Sequence, residues 1–136
     1  MKKVVEFLTE NQKPSLYFAT VGLDGKAKVR PFQFMMEEAG KLIFCTSNQK
    51  SVYQELKKNP YGEFCISSSR FEWIRLSGKI VFLNDIHLKE KVLQTHPFVK
   101  NIYKTADNPI FEIFYLDEAK AVISDFSGNP SQEYLL

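Results

Sequence analysis

Hydroxyl and ammonium side chains cluster where a predicted strand gives way to a predicted helix. Thr46 and Ser47 end an apolar run, and Lys50 and Ser51 open the segment that follows. Backbone N–H groups at a helix start, hydroxyls and an ammonium group together suit a phosphate, because each can donate a hydrogen bond to its oxygens. Arg30, on a neighbouring predicted strand, offers a second cation. The same residue types also cap ordinary helices, so a phosphate site and a plain polar turn both remain open.

A tryptophan and an arginine lie two positions apart in another predicted strand. Side chains at i and i+2 point to the same face of a strand, so Trp73 and Arg75 share one side of the predicted sheet. Such a pair can form a ring-binding wall beside a cation, or it can be an ordinary cross-strand packing pair. The sequence leaves both interpretations open.

Motifs that would supply chemistry from side chains alone are absent. No Gly-x-Gly-x-x-Gly segment follows a predicted strand, and there is no Walker-type glycine loop or Gly-x-Ser-x-Gly elbow. His87 and His96 lack Cys or acidic partners at metal-ligand spacing, so no metal site is predicted. Chemistry in this protein would therefore depend on a bound cofactor.

Composition and charge restrict the class of protein. The chain has 136 residues, 44% hydrophobic and 25% charged, which suits one globular domain over residues 1–136. The formal net charge of +2 does not indicate a nucleic-acid partner. We expect no secretory signal, no membrane span and, with Cys45 and Cys65 inside predicted strands, reduced thiols and a cytoplasmic location.

Apolar runs separated by turn signals predict a mainly β chain. Seven strands are predicted, at residues 16–21, 29–36, 42–46, 61–68, 73–83, 111–116 and 119–126. Short helices are predicted near the N-terminus, over 50–58 and from the capping residue Asp85 to about 95. Because strands and helices do not alternate as βαβ units, we predict an antiparallel β-barrel with short helices in its connections.

Several local features complete the predicted barrel. The first three strands should form a meander, and the last two a hairpin around Asp117 and Glu118. Gly78 is a predicted bend or bulge inside a strand. Residues 98–108 can be either helix or loop. The tail after Pro130 is predicted to be loose, with Tyr134, Leu135 and Leu136 available to pack on a partner.

The order of these elements and their residues resembles the pyridoxamine 5′-phosphate oxidase-like family of FMN-binding split barrels. More narrowly, the chain is similar to short bacterial members of the general-stress or nitroimidazole-resistance type. The resemblance covers residues 13–126 and rests on Phe18-Ala19-Thr20-Val21, Asp24-Gly25, Val29-Arg30-Pro31-Phe32, Leu42-Ile43-Phe44-Cys45-Thr46-Ser47, Lys50, Leu56, Asn59-Pro60, Glu72-Trp73-Ile74-Arg75-Leu76-Ser77-Gly78-Lys79 and Asp85.

This resemblance implies FMN in a groove at the interface of a two-fold homodimer. Arg30, Pro31 and Phe32 would run beside the flavin, with backbone groups facing its ring. The phosphate and ribityl chain would be held by Thr46, Ser47 and Lys50, with Ser51 adjacent. The resemblance also brings Trp73 and Arg75 towards the site, from the same subunit or from the other one.

The chain departs from the true oxidases of this family at two places. They carry Tyr-Thr-Asn followed by Ser-Arg-Lys at the phosphate end, where this sequence has Cys45-Thr46-Ser47 and only Lys50 as the clear charge. Their late substrate-binding Trp and Arg are absent, since no Arg follows Arg75. We therefore expect no oxidation of pyridoxamine phosphate. The family's relatives also include binders of deazaflavin, which stays an alternative to FMN, and of haem. The haem binders are a poorer match, because neither histidine lies in the matched groove segment.

Two functions of different classes follow from this sequence. The first is an FMN-dependent oxidoreductase that acts on an unidentified small-molecule substrate or electron donor. The second is a small barrel that binds a flavin or another ligand without turnover. Single-stranded nucleic acid, bound through Lys26, Lys28 and Arg30 with surface aromatics, is a weaker third possibility, and our prediction is no nucleic-acid or membrane partner.

Overall fold

The computed structural model describes residues 1–136 as eight strands and four helices. In chain order, the elements are α1 (Lys2–Asn11), β1 (Leu16–Val21), β2 (Ala27–Phe32), β3 (Phe34–Glu38), β4 (Lys41–Ser47), α2 (Ser51–Lys58), β5 (Tyr61–Ser67), β6 (Trp73–Leu83), α3 (Ile86–Thr95), α4 (Pro97–Tyr103), β7 (Phe111–Ser124) and β8 (Gln132–Leu135). The predicted helices are confirmed, and α4 occupies the first half of the segment left open. None of the four has the length and apolarity needed to cross a membrane.

All eight strands belong to one antiparallel sheet whose two ends are joined by the chain itself. The strand order is β2-β1-β5-β6-β7-β4-β3, with β8 paired to β7. β2 and β3 stand at opposite ends of this order, yet only Gln33 separates them in sequence. A sheet whose first and last strands are consecutive in the chain curls until they meet. The predicted mainly β, antiparallel barrel with short helices is confirmed.

The prediction of one strand over residues 29–36, within a meander, is wrong. The segment divides at Gln33 into β2, which pairs with β1, and β3, which pairs with β4. At the break, the side chain of Gln12 bonds both backbone groups of Phe34, accepting from its N–H at 2.6 Å and donating to its carbonyl at 2.9 Å. A contact with the end of α1 therefore fixes the bend, and the local residue pattern does not reveal such a contact.

The predicted hairpin around Asp117 and Glu118 is also wrong, because both residues lie inside the 14-residue strand β7. β7 pairs with β6 along its length. Between the paired positions Lys79–Asp117 and Ser77–Lys120, β7 contains one residue more than β6. Glu118 takes up the extra residue with a φ of 51°. Gly78 lies opposite this bulge, where an added Cβ would come within 2.9 Å of the Asp117 carbonyl oxygen. The irregularity predicted at Gly78 is thus confirmed.

The tail forms strand β8, which pairs with β7 of the same chain, so the prediction of a loose tail is wrong. β4 pairs only with the first part of β7, from Phe111 to Tyr115. The second part would expose unpaired backbone groups, and β8 covers them by pairing with residues 120–123. The tail is therefore ordered by pairing with the part of β7 that β4 leaves uncovered.

Two apolar clusters hold the barrel and its helices together. Inside the barrel, the ring of Phe64 stacks between those of Phe18 and Phe44, at centroid distances of 3.9 and 4.1 Å. Outside it, α3 and α4 pack on the outer face of β4 and β7, where Tyr103 stacks on Phe111 at 4.5 Å. Asp85 caps α3 as predicted, since its Oδ1 accepts a hydrogen bond from the Leu88 N–H at 3.1 Å. This outer layer brings α4 beside the ends of β2 and β4.

Candidate functional site

A groove of about 290 Å³, here called the α4 groove, lies where β2, β4, the start of α2 and α4 meet. It is lined by Ser15, Arg30, Pro31, Phe32, Gln33, Met35, Cys45, Thr46, Lys50, Val52, Phe98, Val99, Ile102 and Tyr103. The structure thus brings together Arg30, Pro31, Phe32, Thr46 and Lys50 from the predicted site. Ser47 and Ser51 adjoin this lining in sequence.

Thr46 presents a hydroxyl without a partner. The residue is only 2% exposed, and its Oγ1 is buried and makes no hydrogen bond. An unpaired buried hydroxyl costs about 1–3 kcal/mol, and nearly all such groups in native proteins have partners. Because Thr46 lines the α4 groove, this hydroxyl lies beside the space that a bound molecule would occupy.

Lys50 supplies a positive charge that no carboxylate of the chain neutralises. It is the N-cap residue of α2, lines the groove and takes part in none of the ion pairs. The first turn of α2 contains no acidic residue, so its N-terminal N–H groups also keep their partial positive charge. Ser51, the first helical residue, is exposed. Ser47 closes the preceding turn, where its Oγ accepts a hydrogen bond from the Gln49 N–H at 3.1 Å.

Arg30 lines the groove but is held by the protein. Its Nη2 lies 2.6 Å from Glu55 Oε1, and its Nη1 donates to Thr20 Oγ1 at 2.8 Å and to the Phe18 carbonyl at 3.2 Å. Thr20 Oγ1 in turn donates to the same Glu55 oxygen at 2.7 Å. The charge of Arg30 is therefore balanced within the chain, and Lys50 is the groove cation without an anionic partner.

The two groove side chains that could exchange a proton, Cys45 and Tyr103, stay protonated near neutral pH. Burial raises the pKa of the Cys45 thiol to about 12, although the nearby Lys50 charge acts in the opposite direction. Burial and the neighbouring Cys45 raise the pKa of Tyr103 to about 12. Cys45 is therefore a poor nucleophile, because the thiolate is the reactive form.

Trp73 and Arg75 lie outside the α4 groove of their own chain. The Trp73 ring packs against Phe126 at a centroid distance of 4.9 Å. Both Nε and Nη2 of Arg75 donate to Glu63 Oε2, at 3.0 and 2.9 Å. Their arrival from a second subunit stays a prediction.

The histidines are also outside the groove lining. His96 Nε2 lies 2.8 Å from the carbonyl oxygen of Met35, and His87 is exposed on α3. No group of three or more His, Cys, Asp or Glu side chains could hold a metal ion.

Glu55 and the α4 residues were not among the site residues predicted from the sequence. Glu55 shares the buried face of α2 with Val52 and Leu56, and a carboxylate on an apolar helix face signals a hidden cationic partner. Phe98 and Ile102 of α4 are 75% and 54% exposed beside the groove. Their position beside β2 depends on how α3 and α4 pack outside the barrel, and no local sequence motif predicts that packing.

Solved structures with the same fold resemble this chain along nearly its whole length. A NimC/NimA family protein from Clostridium acetobutylicum is 31% identical, with coverage of 100% of this chain and 92% of that one and a TM-score of 0.90. General Stress Protein 26 from Bacillus anthracis is 17% identical, with coverage of 98% of each chain and a TM-score of 0.74. A pyridoxamine 5′-phosphate oxidase-related, FMN-binding protein from Nostoc punctiforme is 17% identical, with coverage of 97% and 87% and a TM-score of 0.69.

The family comparison gives the same result from sequence. The model of the family described as pyridoxamine 5′-phosphate oxidase matches residues 1–126. No curated protein matches the chain. The similarity at 31% identity extends over the entire chain, and the resemblance inferred from the sequence is confirmed. The chain therefore belongs to the pyridoxamine 5′-phosphate oxidase family.

Proposed function

We propose that this protein binds FMN in the α4 groove and acts as an oxidoreductase on a small molecule. The observation that carries the proposal is the buried, unpartnered Oγ1 of Thr46 in the same groove as the unpaired Lys50. A hydroxyl, an ammonium group and helical N–H groups form a donor set that matches a phosphate monoester. Members of this family commonly bind flavin, which supports the choice of ligand.

The residues present fit FMN at both of its ends. Lys50 and the N-terminus of α2 would hold the phosphate, with Thr46, Ser47 and Ser51 beside them. The flavin ring would lie along the backbone of Arg30, Pro31 and Phe32, against the apolar side chains that α4 contributes. Bound FMN would supply the electron-transfer chemistry that the groove lacks.

The chain's own contribution to turnover is binding, orientation and exclusion of water. Cys45 and Tyr103 are protonated at neutral pH, so neither is suited to exchange protons with a substrate in that range. The same fact favours a second candidate function, a flavin-binding module without turnover. Oxidation of a nicotinamide donor coupled to reduction of an added electron acceptor separates the two, since only the oxidoreductase transfers electrons from one small molecule to another.

We further propose a homodimer that uses the exposed face of β2, β1, β5 and β6. This face carries apolar residues that are unusual in contact with water, with Val29 69% and Tyr17 50% exposed. Pro31, at its edge, also lines the α4 groove, so a subunit seated on the face would border the groove. The modest groove volume, about 290 Å³ at the lower end of ordinary ligand pockets, is consistent with a site that a second chain completes.

The register of the strands gives Arg75 a route to the groove in such a dimer. Pro31, Tyr17, Cys65 and Arg75 are successive cross-strand partners and form one row across the face. At the usual strand spacing, the row is roughly 14 Å long. A two-fold axis parallel to the strands at the middle of the row would bring Arg75 of the partner subunit opposite Pro31, with Trp73 two positions away.

The nucleic-acid alternative has less support, because two of its three cations are already engaged. Lys28 pairs with Asp24 at 3.2 Å, and Arg30 pairs with Glu55. Only Lys26 of that group remains without a carboxylate.

The absorbance spectrum and mass of the small molecule released from purified protein test the proposal. We expect a yellow protein that releases FMN, binds FMN more tightly than riboflavin and lacks pyridoxamine phosphate oxidase activity. Light scattering should give the mass of a dimer at micromolar concentration. A colourless protein with no affinity for added FMN would refute the cofactor assignment, and a flavin-loaded monomer would refute the shared site.

A further inference from the structure

A second groove, here called the α3 groove, lies on the other side of α2 and has a volume of about 560 Å³. It is lined by Tyr53, Lys57, Phe82, Leu83, Asn84, Ile86, Lys89, Ala106, Asp107, Asn108, Pro109 and Glu112. Thr46 and Glu112 are cross-strand partners on β4 and β7, yet Thr46 lines the α4 groove and Glu112 the α3 groove. The two grooves therefore meet neighbouring strands, β4 in the α4 groove and β7 in the α3 groove, and no residue lines both.

Lys89 is the unusual residue of the α3 groove. It is one of only two buried charged side chains in the protein, at 9% exposure, and its ammonium group makes no hydrogen bond or ion pair. Its Nζ lies 5.9 Å from the centroid of the Phe111 ring. The other buried charge, Glu55, has its cation at 2.6 Å. Its Nζ is not fully buried, since Thr46 Oγ1 is the one fully buried side-chain polar atom without a partner. The ammonium group therefore reaches the α3 groove, where an anion from outside the chain would pair with it.

The contrast with Lys91 on the same helix strengthens this point. Lys91 is exposed and pairs with Glu38 at 2.6 Å, although an exposed pair contributes little stability. The exposed Lys91 therefore has a carboxylate partner, whereas Lys89 has none.

A second lysine and an aromatic pair complete the groove. Lys57 Nζ lies 5.7 Å from the ring centroid of Tyr53 and 5.8 Å from that of Phe82, and no carboxylate contacts it. The two rings are 4.9 Å apart. The groove also contains Glu112, whose Oε2 accepts a hydrogen bond from Asn48 at 2.9 Å, and the exposed Asp107. These two carboxylates favour a ligand with one negative charge over a phosphate dianion.

We propose that the α3 groove binds a small aromatic carboxylate, a site separate from the one for FMN. The carboxylate group lies between Lys57 and Lys89, and the ring of the ligand lies against Tyr53 and Phe82. The groove volume is within the range of ordinary small-molecule pockets. This proposal does not depend on FMN binding, because Lys57 and Lys89 have no contact with the α4 groove.

Benzoate and its neutral analogue benzamide, titrated into the full-length protein at constant ionic strength, provide the test. Backbone amide chemical shifts around Lys57 and Lys89 report binding. We expect benzoate to bind at least tenfold more tightly than benzamide. Lys89→Met and Lys57→Met should each reduce benzoate affinity at least tenfold, since each removes one charge-assisted hydrogen bond. Lys91→Met is the matched control, with the same charge change on α3, and should leave benzoate affinity unchanged.

Several outcomes would overturn the proposal. Equal affinities for benzoate and benzamide would mean that the lysines do not recognise the charge. Unchanged benzoate affinity in both Lys89→Met and Lys57→Met would mean that neither lysine binds the carboxylate and that water alone hydrates Lys89. Because Lys57 is exposed, its variant should fold even if the Lys89 variant does not. FMN affinity measured in Lys57→Met separates the sites, and we expect no change in it.

Discussion

Two polar clusters border the α4 groove, and they differ in whether the protein itself satisfies them. Arg30, Thr20 and Glu55 bond to one another, with distances between 2.6 and 2.8 Å. Across the groove, the Thr46 hydroxyl has no partner and Lys50 has no counter-charge. Both clusters combine a threonine with a cation, so residue type alone does not distinguish them. Because the members of the first cluster already bond to one another, we assign that cluster to the fold. The second cluster has no such partners and is available for a ligand.

The largest effect on stability should come from breaking the satisfied cluster. Glu55→Gln leaves the guanidinium of Arg30, itself only 22% exposed, without its counter-charge. We expect a loss of about 2 kcal/mol in the free energy of unfolding, because an uncompensated charge remains where solvent is scarce. Chemical denaturation of the apoprotein measures this loss.

Glu38→Gln is the matched control for that experiment. It removes the same charge from the exposed pair with Lys91, in which the side chains of Glu38 and Lys91 are 37% and 52% exposed. Exposed pairs typically contribute about 0–1 kcal/mol, so we expect a small change. Equal losses in the two variants would contradict the assignment of Arg30 and Glu55 to the structural core.

The unsatisfied cluster is tested by removing its charge. Lys50→Ala should weaken FMN binding about ten- to a hundredfold, since a hydrogen bond to a charged group contributes about 1.5–3 kcal/mol. Riboflavin, which has no phosphate, should bind almost as before. Fluorescence titration measures both affinities. Lys58→Ala, at the other end of α2, is the control, and equal losses for FMN and riboflavin in Lys50→Ala would exclude a phosphate role.

Among the predicted site residues that the structure brings together, one group is close because of local spacing alone. Thr46, Ser47, Lys50 and Ser51 follow one another at a strand-to-helix junction, so their proximity requires only that both elements form. The barrel itself was predictable because its strands alternate and its helices are short. Helix start signals were equally local, as the cap of α3 by Asp85 illustrates.

What the sequence did not reveal depends on contacts between distant residues. Glu55 neutralises Arg30, 25 positions earlier, and this pairing changes Arg30 from a free cation into a fixed one. The bend at Gln33 depends on Gln12, and the single strand β7 depends on a bulge opposite Gly78. Lys89 looks like an ordinary helical lysine in sequence, and only the packing of α3 shows that it is buried without a partner. Such contacts cannot be predicted from patterns of neighbouring residues.

Thr20 and Thr46 permit the same comparison between the two clusters, with smaller expected effects. Thr20→Val removes a hydroxyl that donates to Glu55, and we expect it to destabilise the apoprotein by about 1 kcal/mol. Thr46→Val removes a hydroxyl that bonds to nothing, so we expect unchanged or slightly higher stability. FMN affinity should instead fall several-fold in Thr46→Val. Thermal unfolding and FMN titration of both variants measure these opposite signs, and a destabilised Thr46→Val apoprotein would mean that the hydroxyl already has a partner.

The smallest predicted effect is a pH dependence from Cys45, which lies in the same wall as Thr46 and Lys50. Burial raises the pKa of this thiol from 9.0 to about 12 in the folded protein. Above pH 9, the unfolded chain therefore loses a proton that the folded protein keeps, and linkage requires stability to fall as pH rises from 9 towards 12. Between pH 8 and 9.5, the loss from this group should be about 0.8 kcal/mol. Across this pH interval, Cys45→Ala should therefore lose about 0.8 kcal/mol less stability than the unchanged protein, and an equal loss in both would show that the thiol is not desolvated.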